Sequence, residues 1–553
     1  MLKLKLIVNF LAIALFMLST RAYSACIPNI TNTSNSSTNT LSGNTAGDCI
    51  LNSGTITLSS DYAIGIDSDG NNSILTNNGI IDTSSYVGWG IKSVGLNSTI
   101  TNNGRISTSG NSAAGLKIYG DNSIITNNGT IATSGNTADG ILSVGNNIII
   151  NNSGSIRIAD GNSAAITLGN AGFYGANNNT VNLLKGSIIV GDIHADTGLT
   201  GAKLNINLGS GASYAYSVTG PWTVNDLNGR PMVTGSAYAA GIGNVTTASQ
   251  SLYERTSQVT QSLDDRVRTY DAKKNISQDF WINTYYSDSG RSGQGLSGSN
   301  LSFNQYRSGI TAGFNVKNSY TPTELVVNYE YGKLNIDEGN QSIQSNGIMA
   351  GALFPDIKKL FNGTLSAKAL VGYSDFNGDR KVLTNDVAYD GSRNVTANYQ
   401  STHLTLGSAW TKTLYQTDKI ILETLVGVDL NTQHINSYSE SDLFKWSGRT
   451  INQLQERVSL GMEIKPMVKP LTLFGRVGVE RRDLLSGENQ NFTINNTAVS
   501  YNDTNQRNTY ATLNAGAYYP LTPTIKAYAQ VRYYDSDKNI DSLSGNFGIS
   551  GQF

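Results

Sequence analysis

Charge is scarce in this chain. Of 553 residues only 14% are charged, against about a quarter in an ordinary soluble protein. Its polarity therefore comes from amides and hydroxyls, which is a poor fit to charge-driven disorder. A formal net charge of -1 argues against nucleic acid as a partner. Histidine and cysteine are rarer still: His194, His403 and His434 with Cys26 and Cys49 cannot supply a zinc cluster, so no metal or cofactor is expected. Nine prolines stand against 58 glycines. Beyond the first 24 residues no run of about 20 apolar residues occurs, so no helix is expected to span an inner membrane. Glutamate does not occur before Glu254, while residues 26–240 hold 11 Asp and seven Lys or Arg.

What is present begins with a leader. Lys3 and Lys5 precede an apolar run from Leu6 to Leu18, and Ala22-Tyr23-Ser24 puts small residues at the two cleavage positions. Residues 1–24 therefore read as a secretory signal taken by the Sec machinery, with cleavage near Ser24 or Ala25. Cys26 follows at once, which leaves a lipoprotein reading open, although Tyr23 stands where such signals usually carry Leu. Cys49 offers a partner, and an exported chain with an even number of cysteines favours a structural disulfide. Closing a loop of that size constrains the unfolded chain by roughly 3 kcal/mol in the entropy account.

Residues 25–240 form a first region, dominated from 50 to about 174 by a 25-residue repeat. Gly54, Gly79, Gly104, Gly129 and Gly154 recur inside Asn-Asn-Gly-x-Ile or Asn-Ser-Gly-x-Ile phrases. A second column, Gly65, Gly90, Gly115 and Gly140, is each time followed by Ile or Leu. Asn-rich then apolar phrases near Asn72, Asn97, Asn122 and Asn147 make a third. Three short strands per unit, with no apolar spacing of three and four, mean a solenoid and not helical repeats. The expectation is a right-handed parallel β-helix, five regular coils and two or three irregular ones, roughly 35 to 40 Å long at about 4.8 Å per coil. Ile and Leu columns should fill its core and Asn columns should form amide ladders. The period breaks beyond residue 174, and the small-residue stretch Gly235–Gly243 marks its end near 240.

Residues 241–277 read as a linker and a helix. From Ala248 to Tyr270 an apolar stripe of Leu252, Val259, Leu263 and Val267 runs along an otherwise polar segment about 34 Å long, close to a bilayer's thickness but too polar for lipid. Such a helix belongs in a polar pore. Residues 278–553 supply the pore: segments of about ten residues alternate strictly, as in Leu325, Val327, Tyr329 and Tyr331 against Glu324, Asn328, Glu330 and Gly332. Similar alternation surrounds Lys368, Glu463 and Arg532, which predicts about 12 transmembrane β-strands, apolar outside and polar inside. The last segment carries Leu543, Phe547, Ile549 and the terminal Phe553. The fold class is thus all-β, a β-helix followed by a 12-stranded barrel with one polar α-helix in its pore.

Leader, Gly/Asn-rich solenoid, polar helix, barrel and terminal Phe together resemble a monomeric autotransporter of the type V secretion family. Trp281 opening the first strand, Tyr438-Ser439-Glu440-Ser441 in the place of a Tyr-x-Glu segment, and Gly548-Ile549-Ser550-Gly551-Gln552-Phe553 in the place of the C-terminal assembly signal carry the resemblance. It implies that the Bam machinery folds the barrel into outer-membrane lipid, with Phe547, Ile549 and Phe553 as the assembly signal, and that the N-terminal region crosses through the barrel as a passenger on the cell surface. Some autotransporter proteases release their passengers at an Asn-Asn pair in the pore helix. Here only Asn244 and Asn275 flank the helix, so the passenger is expected to stay attached.

Chemistry in the passenger is thin. A serine-protease triad needs a His base, and His194, between Asp192 and Asp196, has no nucleophile motif with it; a surface turn is the better reading. Ser287-Asp288-Ser289-Gly290 superficially resembles a protease signature but is expected to be a loop after the first barrel strand. Asp67-Ser68-Asp69-Gly70-Asn71 suits a calcium loop or, since the next coil lacks carboxylates there, a plain turn. Tyr62, Tyr86, Trp89 and Tyr119 are candidate anchors for a partner, although the Trp89 column, with Ile64, Ala114 and Asp139, faces in or out. Arg255, Asp264, Asp265 and Arg266 of the helix are expected to face the lumen charges Glu330, Lys368, Glu463, Arg476, Glu480 and Arg532. No catalytic residue is assigned. The expected function is a non-enzymatic autotransporter showing its passenger as an adhesin or aggregation factor, by self-association or by binding a host surface. The alternatives are a hydrolase with an unrecognised site and a vestigial stub on a pore-forming barrel.

Overall fold

The computed structural model describes residues 26–34, 39–159, 163–169, 175–209, 211–269, 279–292, 301–316, 321–337, 339–465, 471–503 and 507–552. The leader and Phe553 lie outside them. The chain divides into two compact units. One holds the described residues up to Asn207 with Ser217–Asn225 and Asn385–Gly391; the other holds Leu208–Tyr216, Asp226–Thr384 and the residues from Ser392 on.

The first unit is a solenoid of parallel strands in three sheets. Each coil stacks on the next in a register of 25: Ile81 on Ile106, Ile106 on Ile131 and Ile131 on Ile156. All four are fully buried, and so are Ile66, Ile91, Leu116 and Ile141 of another sheet. Alternate residues of each four-residue strand point inward, so a single coil has no core until its neighbours cover it. Asn52, Asn77, Asn102, Asn127 and Asn152 end successive strands inside the stack, and Nδ2 of each of the first four donates to the next Oδ1 at 2.7 to 2.8 Å. Coils approach closely at Gly104, where an added Cβ would stand 2.0 Å from the carbonyl oxygen of Gly79. Cys26 and Cys49 are disulfide-bonded at the N-terminal end. The last strand of the largest sheet is Thr223–Asp226, and the segments 208–216 and 226–240 group with the second unit instead.

In the second unit helix α1, Gly243–Thr269, precedes the barrel. It starts five residues before the expected Ala248. Val245, Thr246 and Thr247 are poor helix formers, but Thr247 Oγ1 donates to the Gly243 carbonyl at 2.6 Å and all three are buried. Twelve strands follow: β1 Phe280–Arg291, β2 Phe303–Asn315, β3 Glu324–Ile336, β4 Gln341–Leu360, β5 Gly363–Thr384, β6 Ser392–Gln416, β7 Ile420–Ile435, β8 Arg449–Ile464, β9 Thr472–Ser486, β10 Arg507–Pro520, β11 Ile525–Ser536 and β12 Ile540–Gly551. Each pairs antiparallel with the next, and β1 pairs with β12 from Phe280↔Gly551 to Arg291↔Ile540, which closes the barrel and leaves no edge. Outward residues are apolar: Leu325, Val371, Val458 and Val531 are each more than half exposed. Ser287-Asp288-Ser289-Gly290 is not a loop but the end of β1, because that strand runs past ten residues and buries Ser287 and Ser289 inside.

A smaller sheet of four strands, Tyr438–Glu440, Phe444–Trp446, Asn489–Ile494 and Thr497–Asn502, forms from two interstrand connections. Ser213–Tyr216 adds in parallel to the overhanging end of β5 at Val382, and Ala237–Ala239 pairs with it. Ala240, Val245, Val382, Leu443, Phe444 and Trp446 pack into one core there.

Candidate functional site

The candidate site is the barrel interior around α1. Strand alternation turns every second residue inward, and on β3 that sends Glu324 and Glu330 into the lumen while Leu325, Val327 and Tyr329 face out. Among the described residues the helix bonds to at least ten of the twelve strands, a reach possible only from inside the barrel. Ser262 accepts from Asn283 on β1 at 2.6 Å, Ser251 from Arg307 on β2 at 2.7 Å, and Asp264 from Lys368 on β5 at 3.2 Å. Arg255 pairs with Glu330 on β3 and lies 2.7 Å from His403 Nε2 on β6. Arg268 donates to Glu423 on β7 at 2.6 Å, and Arg457 on β8 to Asp264 at 3.0 Å. Asp265 accepts from Arg476 on β9 and from Gln530 on β11, each at 2.8 Å. Tyr510 on β10 donates to Gln250 at 2.8 Å. The apolar stripe meets the wall from β1 to β5, where Val259, Leu263 and Val267 pack on Trp281, Val326, Met349, Leu353 and Leu370, and this brings in β4. A cavity of about 60 Å³ beside Asp264, Arg457, Arg476 and Arg532 is left between helix and wall.

Nine of the ten lumen and helix charges singled out in the sequence join this network. Arg532 pairs with Glu480, which also accepts from Tyr253 of the helix at 2.8 Å. Arg266 donates to Glu324 at 2.7 and 3.0 Å. Glu463 lies near Glu423 and Arg476, and among the described residues no bond joins it to the helix. Sequence reasoning set Glu324 on the inward side of its strand without naming it as a partner of the helix, and missed Glu423, Asp429 and Arg457, although the same alternation places them inward. Lys368 and Arg457 each bond both Asp264 and Asp429, so helix and wall share one four-charge cluster.

Tyr438 and Glu440 stand at the end of the helix. Tyr438 Oη accepts from Asn244 Nδ2 at 2.7 Å, and Glu440 pairs with Arg380. Rings stack from Phe376 through Tyr399, Tyr438 and Trp446 to Phe492, with centroids 4.3 to 6.1 Å apart. Burial raises the Glu440 carboxyl above its usual range, and Arg380 opposes that. Phe547 is 56% exposed and Ile549 half-buried on the outer face of β12.

On the solenoid, Tyr62, Tyr86 and Tyr119 are exposed and Trp89 is half-buried, facing outward. Tyr62 and Tyr86 meet edge to face at 6.1 Å, and Lys117 Nζ lies 4.3 Å from the Trp89 ring and 5.3 Å from that of Tyr119. Asp67 and Asp69 face Lys92 Nζ at 3.1 and 3.3 Å, so an ammonium already meets their charge. Burial alone would lower the Lys92 pKa, yet the hydrogen bonds and attraction of those carboxylates hold it above the ordinary value. His194 is bound on both sides, Nδ1 to Thr219 Oγ1 at 2.7 Å and Nε2 to Asp196 at 3.0 Å, and Thr219 donates to Asp192 at 2.5 Å.

Among the described residues no helix is long and apolar enough to cross a membrane; the membrane is crossed by strands. A closed barrel with an apolar outer wall and a charged lumen holding one helix defines a transmembrane β-barrel of the outer-membrane type. Residues 280–532 match the autotransporter beta-domain family, so the barrel is an autotransporter translocator domain of the outer membrane, and the β-solenoid before it stands in the place of the exported passenger. Solved structures with a similar fold include the translocator domain of NalP from Neisseria meningitidis, 17% identical, covering 56% of this chain and 99% of that one with a TM-score of 0.41. The beta domain of Bordetella BrkA is 14% identical over 50% and 98%, TM-score 0.38. The transport unit of AIDA-I from Escherichia coli is 11% identical over 56% and 99%, TM-score 0.35. No curated protein matches the chain.

Proposed function

We propose that the passenger works by adhesion and not by catalysis, displayed on the cell surface while the barrel anchors it in outer-membrane lipid after Sec export and Bam-assisted assembly. The observation that carries this reading is the solenoid's repetition: coils in exact 25-residue register present the same polar columns step after step, a design suited to many weak contacts at once. His194, the one passenger histidine, is committed on both ring nitrogens to its own neighbours. The lumen network supports a second role, in which α1 stays seated, seals the pore and keeps the passenger tethered.

The test compares bacteria that do not aggregate on their own, expressing either the full chain or the chain without residues 26–207. That boundary leaves intact the 208–216 and 226–242 segments that pack with the barrel unit. Faster settling, or retention on matrix-coated or host-cell surfaces, that needs residues 26–207 is the expected result. With the passenger shown by antibody to be on the surface, equal behaviour of both strains in all of these assays would sink adhesion.

A further inference from the structure

The three faces of the solenoid are not alike. The six-stranded sheet carries Asp82, Arg105 and Arg157 on its strands, and the eight-stranded sheet carries Asp67, Lys92 and Lys117. The nine-stranded sheet carries no charge on any strand from Cys49–Asn52 to Thr180–Leu184. One outward column starts at Leu51 and then reads Thr76, Thr101, Thr126, Asn151 and Asn182. The next reads Ile74, Thr99, Ile124 and Ile149, with Ile149 39% exposed. Asn182 donates to Asn151 at 2.8 Å, and Asn205 continues the ladder at 2.9 Å, so the amides are held in a row.

A partner for this face must be neutral, must offer methyl groups beside hydroxyls and amides, and must repeat every 4.8 Å or so along the stack. Those terms describe the same face of another copy. Hydroxyls and amides both donate and accept, so two identical columns can bond without an opposite set, as a two-fold interface requires. Six strands at about 4.8 Å and four residues at about 3.3 Å span roughly 350 Å² per copy. Two copies then bury about 700 Å², below the roughly 1,200 Å² of a stable pair. One contact is weak, whereas many copies facing each other between two cells bind strongly.

We propose that the outward face of the nine-stranded sheet, between Cys49 and Leu184, is a homotypic interface on which the passenger of a neighbouring cell docks. This rests on the adhesive reading and specifies its partner as a second copy of this chain. The test uses full-length protein on non-aggregating cells. Thr76→Lys with Thr126→Lys makes one strain, Thr76→Glu with Thr126→Glu a second, and Leu142→Lys on the eight-stranded sheet a control. Surface antibody and protease resistance verify that each passenger is displayed and folded. Wild-type and control cells should settle; neither double variant should settle alone, by like-charge repulsion; the two mixed should settle together. Passenger-dependent settling that the lysine pair leaves unchanged would overturn this face and leave adhesion standing. A pair of strains that fails to settle even when mixed would overturn it too. Wild-type cells that settle no faster than cells lacking residues 26–207, yet adhere to host surfaces through them, would replace self-recognition by a host ligand.

Discussion

Asn102 shows how much one side chain carries in a stacked fold. It accepts from Asn77 and donates to Asn127, each at 2.8 Å, with no exposure to water. Asn102→Ala leaves two buried amides short of a partner and should cost about 1–3 kcal/mol for each group so orphaned, read as a lower urea midpoint for the passenger. Asn103→Ala, in the exposed ladder that joins Asn78 and Asn128 at 2.9 Å, should cost far less. Asp139 gives a pH-dependent case. Burial raises its carboxyl above the usual range, against hydrogen bonds from Ala164 N–H and Thr167 that favour the charged form. The folded state thus holds the proton more tightly than the unfolded chain. Its contribution is fully present below the unfolded value, about 3.9, and is lost as pH rises through the raised folded value. Asp139→Asn should flatten the fall in passenger melting temperature between pH 4 and 7, measured by circular dichroism on the full chain in detergent. An unchanged pH slope would show that Asp139 titrates normally.

At the scale of elements, the helix is the test of the lumen reading. Arg266 is the charge partner of the buried Glu324 and donates to both its oxygens, and Glu324 Oε2 also accepts from Trp281 Nε1 at 2.8 Å. Arg266→Ala leaves that carboxylate uncompensated, a loss on the order of 3–5 kcal/mol for a buried pair broken on one side. The expected outcome is a barrel that opens more often in planar bilayers and unfolds at lower temperature in detergent. Replacing Glu324 as well, Arg266→Ala with Glu324→Gln, should recover part of the melting temperature but not the closed conductance. Strand β12 carries a lipid-side prediction. Phe547→Lys puts a charge on the outer face, worth about 2–4 kcal/mol near the bilayer midplane, and should reduce the folded barrel recovered from outer membranes.

At the scale of the whole molecule, the proposed adhesion rests on valency, since a single passenger face is small and only arrays of copies would make it strong. Passenger-dependent settling should therefore rise steeply with expression level, faster than in proportion, because valency and not affinity sets the binding. Flow cytometry of display level against settling rate checks this. A linear dependence would point to a tight single-site ligand instead.

Much of this protein is written in local pattern. The 25-residue period determined the coils, because a β-strand's side-chain alternation and a Gly turn repeat wherever the sequence does, and Gly104 and its equivalents leave room for nothing larger than hydrogen. Strict alternation after Phe280 likewise determined the barrel's inside and outside. Tertiary structure alone decided which charges meet. Lys368, Asp429 and Arg457 stand on β5, β7 and β8 and meet only when those neighbouring strands pair in register, with Gly407 of β6 between the first two, and when the helix brings Asp264 among them. It also decided that Ser213–Tyr216, which reads as the tail of the solenoid, pairs with the overhanging end of β5. The physical reason is the same in both cases: periodicity fixes which way a side chain points, whereas its partner is set by chain closure over hundreds of residues, which no short window of sequence contains.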